Sequence, residues 1–210
     1  MEYSYFSFLD LFNQEPMNAL LNQNFLFKDT VDYTNFYNKY VNELYSYGIS
    51  LGFSDNICKD AIHDVFCKIY VNKNELKNIH NIKHYLFKSL KNRLLDIYRR
   101  DRKITFDEIE DYSFSIEISV MDSIIDEEEK ELLKHKVEAL MNTLTSNQRE
   151  AIYLRYMQEM EYEEIAQILN ITAESVRKLV YRGIDRLREQ SNPDIIIILS
   201  VYFHHHNYFS

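Results

Sequence analysis

A chain of 210 residues with three glycines and two prolines can make few tight turns. That scarcity argues against a β-sandwich, a propeller or a glycine-rich phosphate loop, all of which need frequent chain reversals or positive backbone angles. No GxGxxG, Walker-type loop or HExxH run occurs, so the common nucleotide and zinc-hydrolase signatures are absent. Hydrophobic residues make up 46% of the chain, enough to bury a core, which excludes a wholly disordered protein. The expected class is all-α.

Apolar periodicity supports this. Phe36, Tyr40, Leu44, Tyr47 and Leu51 recur every three or four residues, with Gly48 and Gly52 punctuating the end of the stripe. Ser54 is placed to cap a second helix whose inner face carries Ile57, Ala61, Ile62, Val65, Phe66 and Ile69. A polar loop, 72–81, leads to a third helix from about Ile82, with Tyr85, Leu86, Leu90, Leu94, Ile97 and Tyr98 as its apolar side. The period then lapses and returns at Leu132, continuing through Val137, Leu140, Met141 and Leu144. Thr145 to Arg149 reads as a turn and cap before a helix bearing Ile152, Tyr153, Leu154, Tyr156 and Met157.

The charge is unevenly spread. The chain totals −9, yet residues 33–103 hold 13 Lys and Arg against seven acids, while 104–136 hold three Lys against 11 acids. A basic block and an acidic connector therefore lie inside an acidic average. The organisation expected is an N-terminal extension, 1–32, a helical domain, 33–103, an acidic linker, 104–131, a second helical domain, 132–190, and an apolar tail, 191–210. Nothing in MEYSYFSFLDLF resembles a signal peptide, and the apolar run from Ile195 is too short to span a bilayer, so no membrane insertion and a cytoplasmic location are expected. Cys58 and Cys67 are too few for a disulfide framework or a metal cage and read as core-facing or half-buried. His204, His205 and His206 lack carboxylate or Cys partners, so no metal or cofactor is expected, nor an enzymatic activity.

Residues 162–188 are the most informative. Ile165, Ala166, Ile168 and Leu169 mark a short helix, Asn170 suits a left-handed terminus, Ile171 is expected to fill the turn, and Thr172 can cap the next helix. Val176, Leu179, Val180, Gly183 and Leu187 form the apolar face of that helix. Its other face carries Ser175, Arg177, Lys178, Tyr181, Arg182 and Arg186. A short helix, a tight turn and a basic second helix follow helix-turn-helix logic, with cations for phosphates and polar groups for base edges in the major groove. An ordinary helical hairpin with a solvated basic side would share these features.

Taken together, the two halves resemble RNA polymerase sigma factors of the extracytoplasmic-function type: two small helical domains joined by a linker, the second containing the helix-turn-helix. In the first, Asp60-Ala61-Ile62-His63-Asp64-Val65-Phe66 is similar to an acidic signature of that family. The resemblance implies that Asp60, His63 and Asp64 dock on the polymerase clamp helices, with His63 where Gln is usual. The run Ile82–Arg100 resembles the family's promoter-melting helix. It implies phosphate contacts by Lys83, Lys88, Lys91 and Arg93, with Arg99 and Arg100 at the far end, and pairing of Asn92 with a base edge. Tyr85, where Trp is common, and Tyr98 suit core packing. In the second domain, Leu144–Tyr156 resembles a family run in which Thr145 replaces Pro. Glu163-Glu164-Ile165-Ala166 and Ser175-Val176-Arg177 resemble its upstream-element signature. Thr172, Ser175, Arg177, Lys178, Tyr181 and Arg182 are then the implied upstream-element contacts. Core RNA polymerase, promoter DNA and an anti-sigma factor are the implied partners. The alternative is a helix-turn-helix regulator whose N-terminal bundle senses a ligand or dimerises.

Overall fold

The structure is a computed structural model that describes residues 30–71, 79, 81–102, 113–116 and 135–190. Residues 1–29, the loop 72–78, most of the acidic linker and the tail 191–210 lie outside the described residues, together with the expectations attached to them. All regular structure among the described residues is helical.

Three helices form the first unit: α1, Thr30–Ser50; α2, Asp55–Val71; and α3, Ile82–Arg102. Each packs on the other two. The α1 stripe is buried as its spacing predicts, at Tyr40, Leu44 and Tyr47, and Tyr33 adds a hydroxyl that donates to the Phe66 carbonyl at 3.0 Å. Only one of the two glycines ends α1. Gly52 takes φ +85°, a conformation that disfavours a side chain, whereas Gly48 lies inside the helix. A Cβ on Gly48 would stand 2.8 Å from Cys58 Sγ, so its role is close approach of α1 and α2. The spacing of α3 predicts Leu86, Leu90 and Leu94 as core, and all three are fully buried, joined by Phe87. Tyr85 packs against the core and Tyr98 makes an edge contact with Phe53, as their core-packing reading requires.

The second unit begins with helical residues 135–141, then α4, Ser146–Ile152, which widens into a π-helical turn, Tyr153–Met157. It ends with α5, Tyr162–Leu169, and α6, Ala173–Gln190. Thr145 makes a capping box at α4: its hydroxyl accepts from Gln148 N, and the Gln148 side chain accepts from Thr145 N. A residue with a side-chain acceptor thus starts this helix where the related pattern has Pro. The π turn closes through Gln158 N to the Tyr153 carbonyl, and Glu159 then turns left-handed at φ 56°. Asn170, φ 54°, ends α5 as expected. One apolar expectation fails here. Ile171 does not fill the turn and is 39% exposed. The tight turn needs the Asn170 backbone geometry more than an apolar plug, and Tyr156 in the π turn is equally exposed.

The two units share one apolar core. Tyr47 of α1 stacks on Tyr153 of the π turn, with centroids 5.9 Å apart and planes within 13°. The described piece of the linker, 113–116, runs between them. Phe114 is fully buried with its ring against both tyrosines, and Ser115 N donates to the Ser50 carbonyl at 2.8 Å. Arg149 holds this strap from the other side. Its buried guanidinium donates to the carbonyls of Phe114, Met141 and Leu144. Arg149→Met removes those donors and leaves buried carbonyls unpaired, and is expected to lower the unfolding free energy by about 2–4 kcal/mol. Urea denaturation followed by circular dichroism measures it; a loss below about 0.5 kcal/mol would show that the carbonyls find other partners.

Candidate functional site

Two surfaces carry the chemistry implied by the sequence, and they differ in accessibility. On α6, Arg177, Lys178, Tyr181, Arg182 and Arg186 are all exposed, opposite the buried Val176, Val180, Gly183 and Leu187. Tyr181 is 70% exposed, an unusual place for a large ring. The helix is started by Thr172, whose hydroxyl accepts from Ser175 N at 3.2 Å and lies 2.9 Å from Ser175 Oγ. The cap fixes the direction in which the first turn of α6 presents its side chains. Gly183 lets α6 lie against α4, since a Cβ there would meet Ile152 Cδ1 at 2.7 Å. A short helix, a left-handed turn and a long helix with a basic exposed face can present cations and base-reading groups to a major groove.

The first unit is arranged differently. Asp60 is exposed on α2, but Asp64 accepts from Arg93 of α3 at 2.7 Å, and His63 Nε2 lies 3.3 Å from Cys67 Sγ. An expected polymerase contact and an expected DNA contact therefore neutralise each other. Lys83 pairs with Glu43 of α1 at 2.8 Å, and Arg99 with Asp96 at 2.7 Å. Asn92 and Arg100 are exposed to solvent.

Lys88 and Lys91 face the second unit. Lys88 Nζ donates to Gln167 of α5 at 3.3 Å. Lys91 is buried, and its ammonium reaches both carboxylate oxygens of Glu150 at 2.9 and 3.0 Å, with Tyr47 OH donating to Glu150 Oε1 as well. The side chains of this pair are 6% and 0% exposed. In this arrangement Lys91 is closed off from any phosphate, unlike the solvated face on which it is expected. The sequence signal for its burial is spacing: Phe87, Leu90, Lys91 and Leu94 form one helical stripe, with a lysine among apolar residues. Glu150 gave no such signal.

Asn81 and His84 join this contact without a sequence signal of their own. Asn81 Oδ1 accepts from His84 N and so caps α3, while Asn81 Nδ2 donates to Glu164 Oε1 at 2.6 Å. Glu164 Oε2 in turn accepts from Glu161 N at the start of α5. One hydrogen bond thus couples two helix N-termini, each favourable to a polar or anionic group. Asn81, His84, Lys88 and Lys91 follow one another at helical intervals and make a polar stripe along α3 toward the second unit.

The helix-turn-helix with its basic exposed face suits contact with DNA, and comparison with known proteins gives related examples. The family model described as "Sigma-70, region 4" matches residues 134–187. The ECF RNA polymerase sigma factor SigM of Bacillus subtilis (strain 168) is 25% identical over 165 residues, 74% of this chain and 93% of that protein. The fold is shared with the sigma factor RpoE of Bartonella quintana, solved in complex with the anti-sigma factor NepR. The TM-score is 0.53 at 23% identity, over 75% of this chain and 95% of that one. The chain is thus similar to an extracytoplasmic-function sigma factor over about three quarters of its length and carries the sigma-70 region 4 pattern in its second unit. No helix among the described residues is long and apolar enough to cross a membrane.

His84 gives the contact between the units a pH dependence. Burial pushes its imidazole below the ordinary 6.5, Glu164 opposes that, and Lys88 adds to it. Among the described residues its Nε2 is buried with no hydrogen-bond partner. With a lowered pKa in the folded chain, the unfolded chain takes up the proton first as pH falls. Stability should therefore decline as pH drops below about 6.5 toward the lower folded value. Thermal unfolding of wild type and His84→Gln between about pH 7.5 and 5.5 tests this. The variant should lose part of the acid-side decline, and parallel curves would contradict it.

Proposed function

We propose that the chain is a sigma factor that binds core RNA polymerase through the exposed side of α2 around Asp60, reads an upstream promoter element with α6, and opens promoter DNA with α3. It would act in the cytoplasm, where the polymerase is. The reading rests chiefly on α6, whose capped, exposed basic face lies inside the segment matching sigma-70 region 4. Thr172, Ser175, Arg177, Lys178, Tyr181 and Arg182 are its proposed upstream-element contacts. On α3, Lys83, Arg93, Arg99 and Arg100 with Asn92 are the proposed contacts at the melting edge. Lys88 and Lys91 join them once the units separate. His63 and Asp64 complete the polymerase-facing side of α2, where Asp64 exchanges Arg93 for a polymerase cation.

Separation is a requirement of this reading. A lysine enclosed with Glu150 cannot meet a phosphate, and a helix seated on α5 cannot be wrapped by DNA. Polymerase must therefore hold the two units apart, supplying contacts that outweigh the shared core. An anti-sigma factor, the partner present in the Bartonella complex, would act in the opposite sense by favouring a polymerase-incompetent form.

Asp60→Lys reverses charge at an exposed position and should leave unfolding within about 0.5 kcal/mol of wild type. Affinity for core polymerase should fall at least about tenfold. Pull-down and run-off transcription with core polymerase check both. Unchanged binding would remove α2 from the interface, and absence of binding by the wild type would overturn the proposed function.

A further inference from the structure

The side chains preceding the recognition helix form a second constellation, which concerns how one cation of that helix is aimed. Tyr162 opens α5 with a half-buried ring. The Arg177 guanidinium lies 5.2 Å from its centroid and that of Arg155 4.7 Å. Arg155 is itself fixed, donating to the Met160 carbonyl at 2.7 Å and pairing with Glu161 at 3.2 Å. Arg177 Nη2 donates to Glu163 Oε1 at 2.8 Å, across the turn of the helix-turn-helix. A ring on one side and a carboxylate at one end therefore hold a guanidinium that would otherwise sample many rotamers.

We propose that Tyr162 and Glu163 are positioning residues that make Arg177 a base-reading side chain and keep it from acting as a general phosphate contact. This deepens the promoter-recognition reading above and rests on it. Arg177 is the fifth residue of α6, within the N-terminal part that reaches base edges when such a helix enters a major groove. The single bond to Glu163 uses one of the two Nη2 protons, so the edge of the guanidinium that carries the other Nη2 proton and its neighbouring N–H stays free for a bidentate contact, for which the matching base is guanine through O6 and N7. The same carboxylate repels phosphates, so sliding or non-specific DNA gains little from Arg177. A guanine in register keeps the Glu163 bond and adds to it. Arg182 and Arg186 have no such brace in the described structure, and their exposed guanidiniums serve phosphates on any sequence.

The test uses the full chain with core polymerase. Duplexes are selected from a randomised pool by the wild-type holoenzyme, and affinity for the selected and a scrambled duplex is then measured for each variant. Glu163→Gln should raise affinity for scrambled duplex about threefold to fivefold, leave the selected duplex unchanged or weaker, and so lower the specificity ratio. Tyr162→Phe should behave as wild type, and Tyr162→Leu should lose specificity at the same base position as Arg177→Ala. The proposal is overturned if Glu163→Gln and Tyr162→Leu keep the wild-type ratio, or if Arg177→Ala weakens all duplexes equally. Those results leave the promoter-recognition reading standing provided Arg182→Ala weakens duplex binding. Failure of the wild type to enrich any sequence overturns both.

Discussion

The buried contact between Lys91 and Glu150 is the constraint around which the two helical units are arranged. An ammonium and a carboxylate removed from water need each other and every hydrogen bond available, and here Tyr47 supplies the further donor. Such a pair adds little stability compared with apolar residues of the same volume, but loss of one partner leaves an uncompensated charge costing about 3–5 kcal/mol. Its effect is therefore on arrangement more than on stability. It accepts one register of α3 against α4 and penalises others, with the Tyr47–Tyr153 stack and the Phe114 strap packed around it. It also ties together one residue from each unit, so that the proposed engagement of Lys91 with DNA and closure of the units exclude one another.

The interface is made of contacts that differ in how readily they exchange. Asn81–Glu164 and Lys88–Gln167 lie toward its edge, where water can replace either partner. Lys91–Glu150 and Phe114 lie at its centre and cannot be wetted piecemeal. A partner that pulls the units apart must displace the centre in one step, which makes the arrangement two-state in character. The recognition face of α6 is not part of this contact. Its basic side chains are exposed while the units are in contact, so under the proposed function promoter reading and promoter opening would be separately controlled.

Much of the fold was legible because it follows from period and punctuation. The stripes of α1 and α2, the start of α3, the left-handed Asn170 and the caps at Thr145 and Thr172 are local properties, set within a turn or two of helix. Ile171 was misplaced because the left-handed terminus at Asn170 rotates the register that a simple period assumes. Gly48 was misread because close helix approach and helix ending draw on the same residue. At the candidate site, the exposed face of α6 was legible for the same local reasons. The closed contact was not. Lys91 sits in an apolar stripe, but its partner Glu150 is 59 residues away, and a basic helix offers no local sign of which cation will be enclosed. Asn81 was visible only as the end of a polar loop, since capping α3 and reaching Glu164 depend on the approach of a second unit.

The most direct test is the distance between the units in the free chain and in the holoenzyme. Single-molecule energy transfer between dyes at Asn56 of α2 and Glu189 of α6, both exposed, reports it. They are introduced through unnatural side chains so that Cys58 and Cys67 stay intact. The account predicts one short-distance population for the free chain, a shift to long distance on binding core polymerase, and a long-distance population in free Glu150→Ala. A free chain that already spans a broad range of distances, or a holoenzyme that keeps the short one, would contradict it.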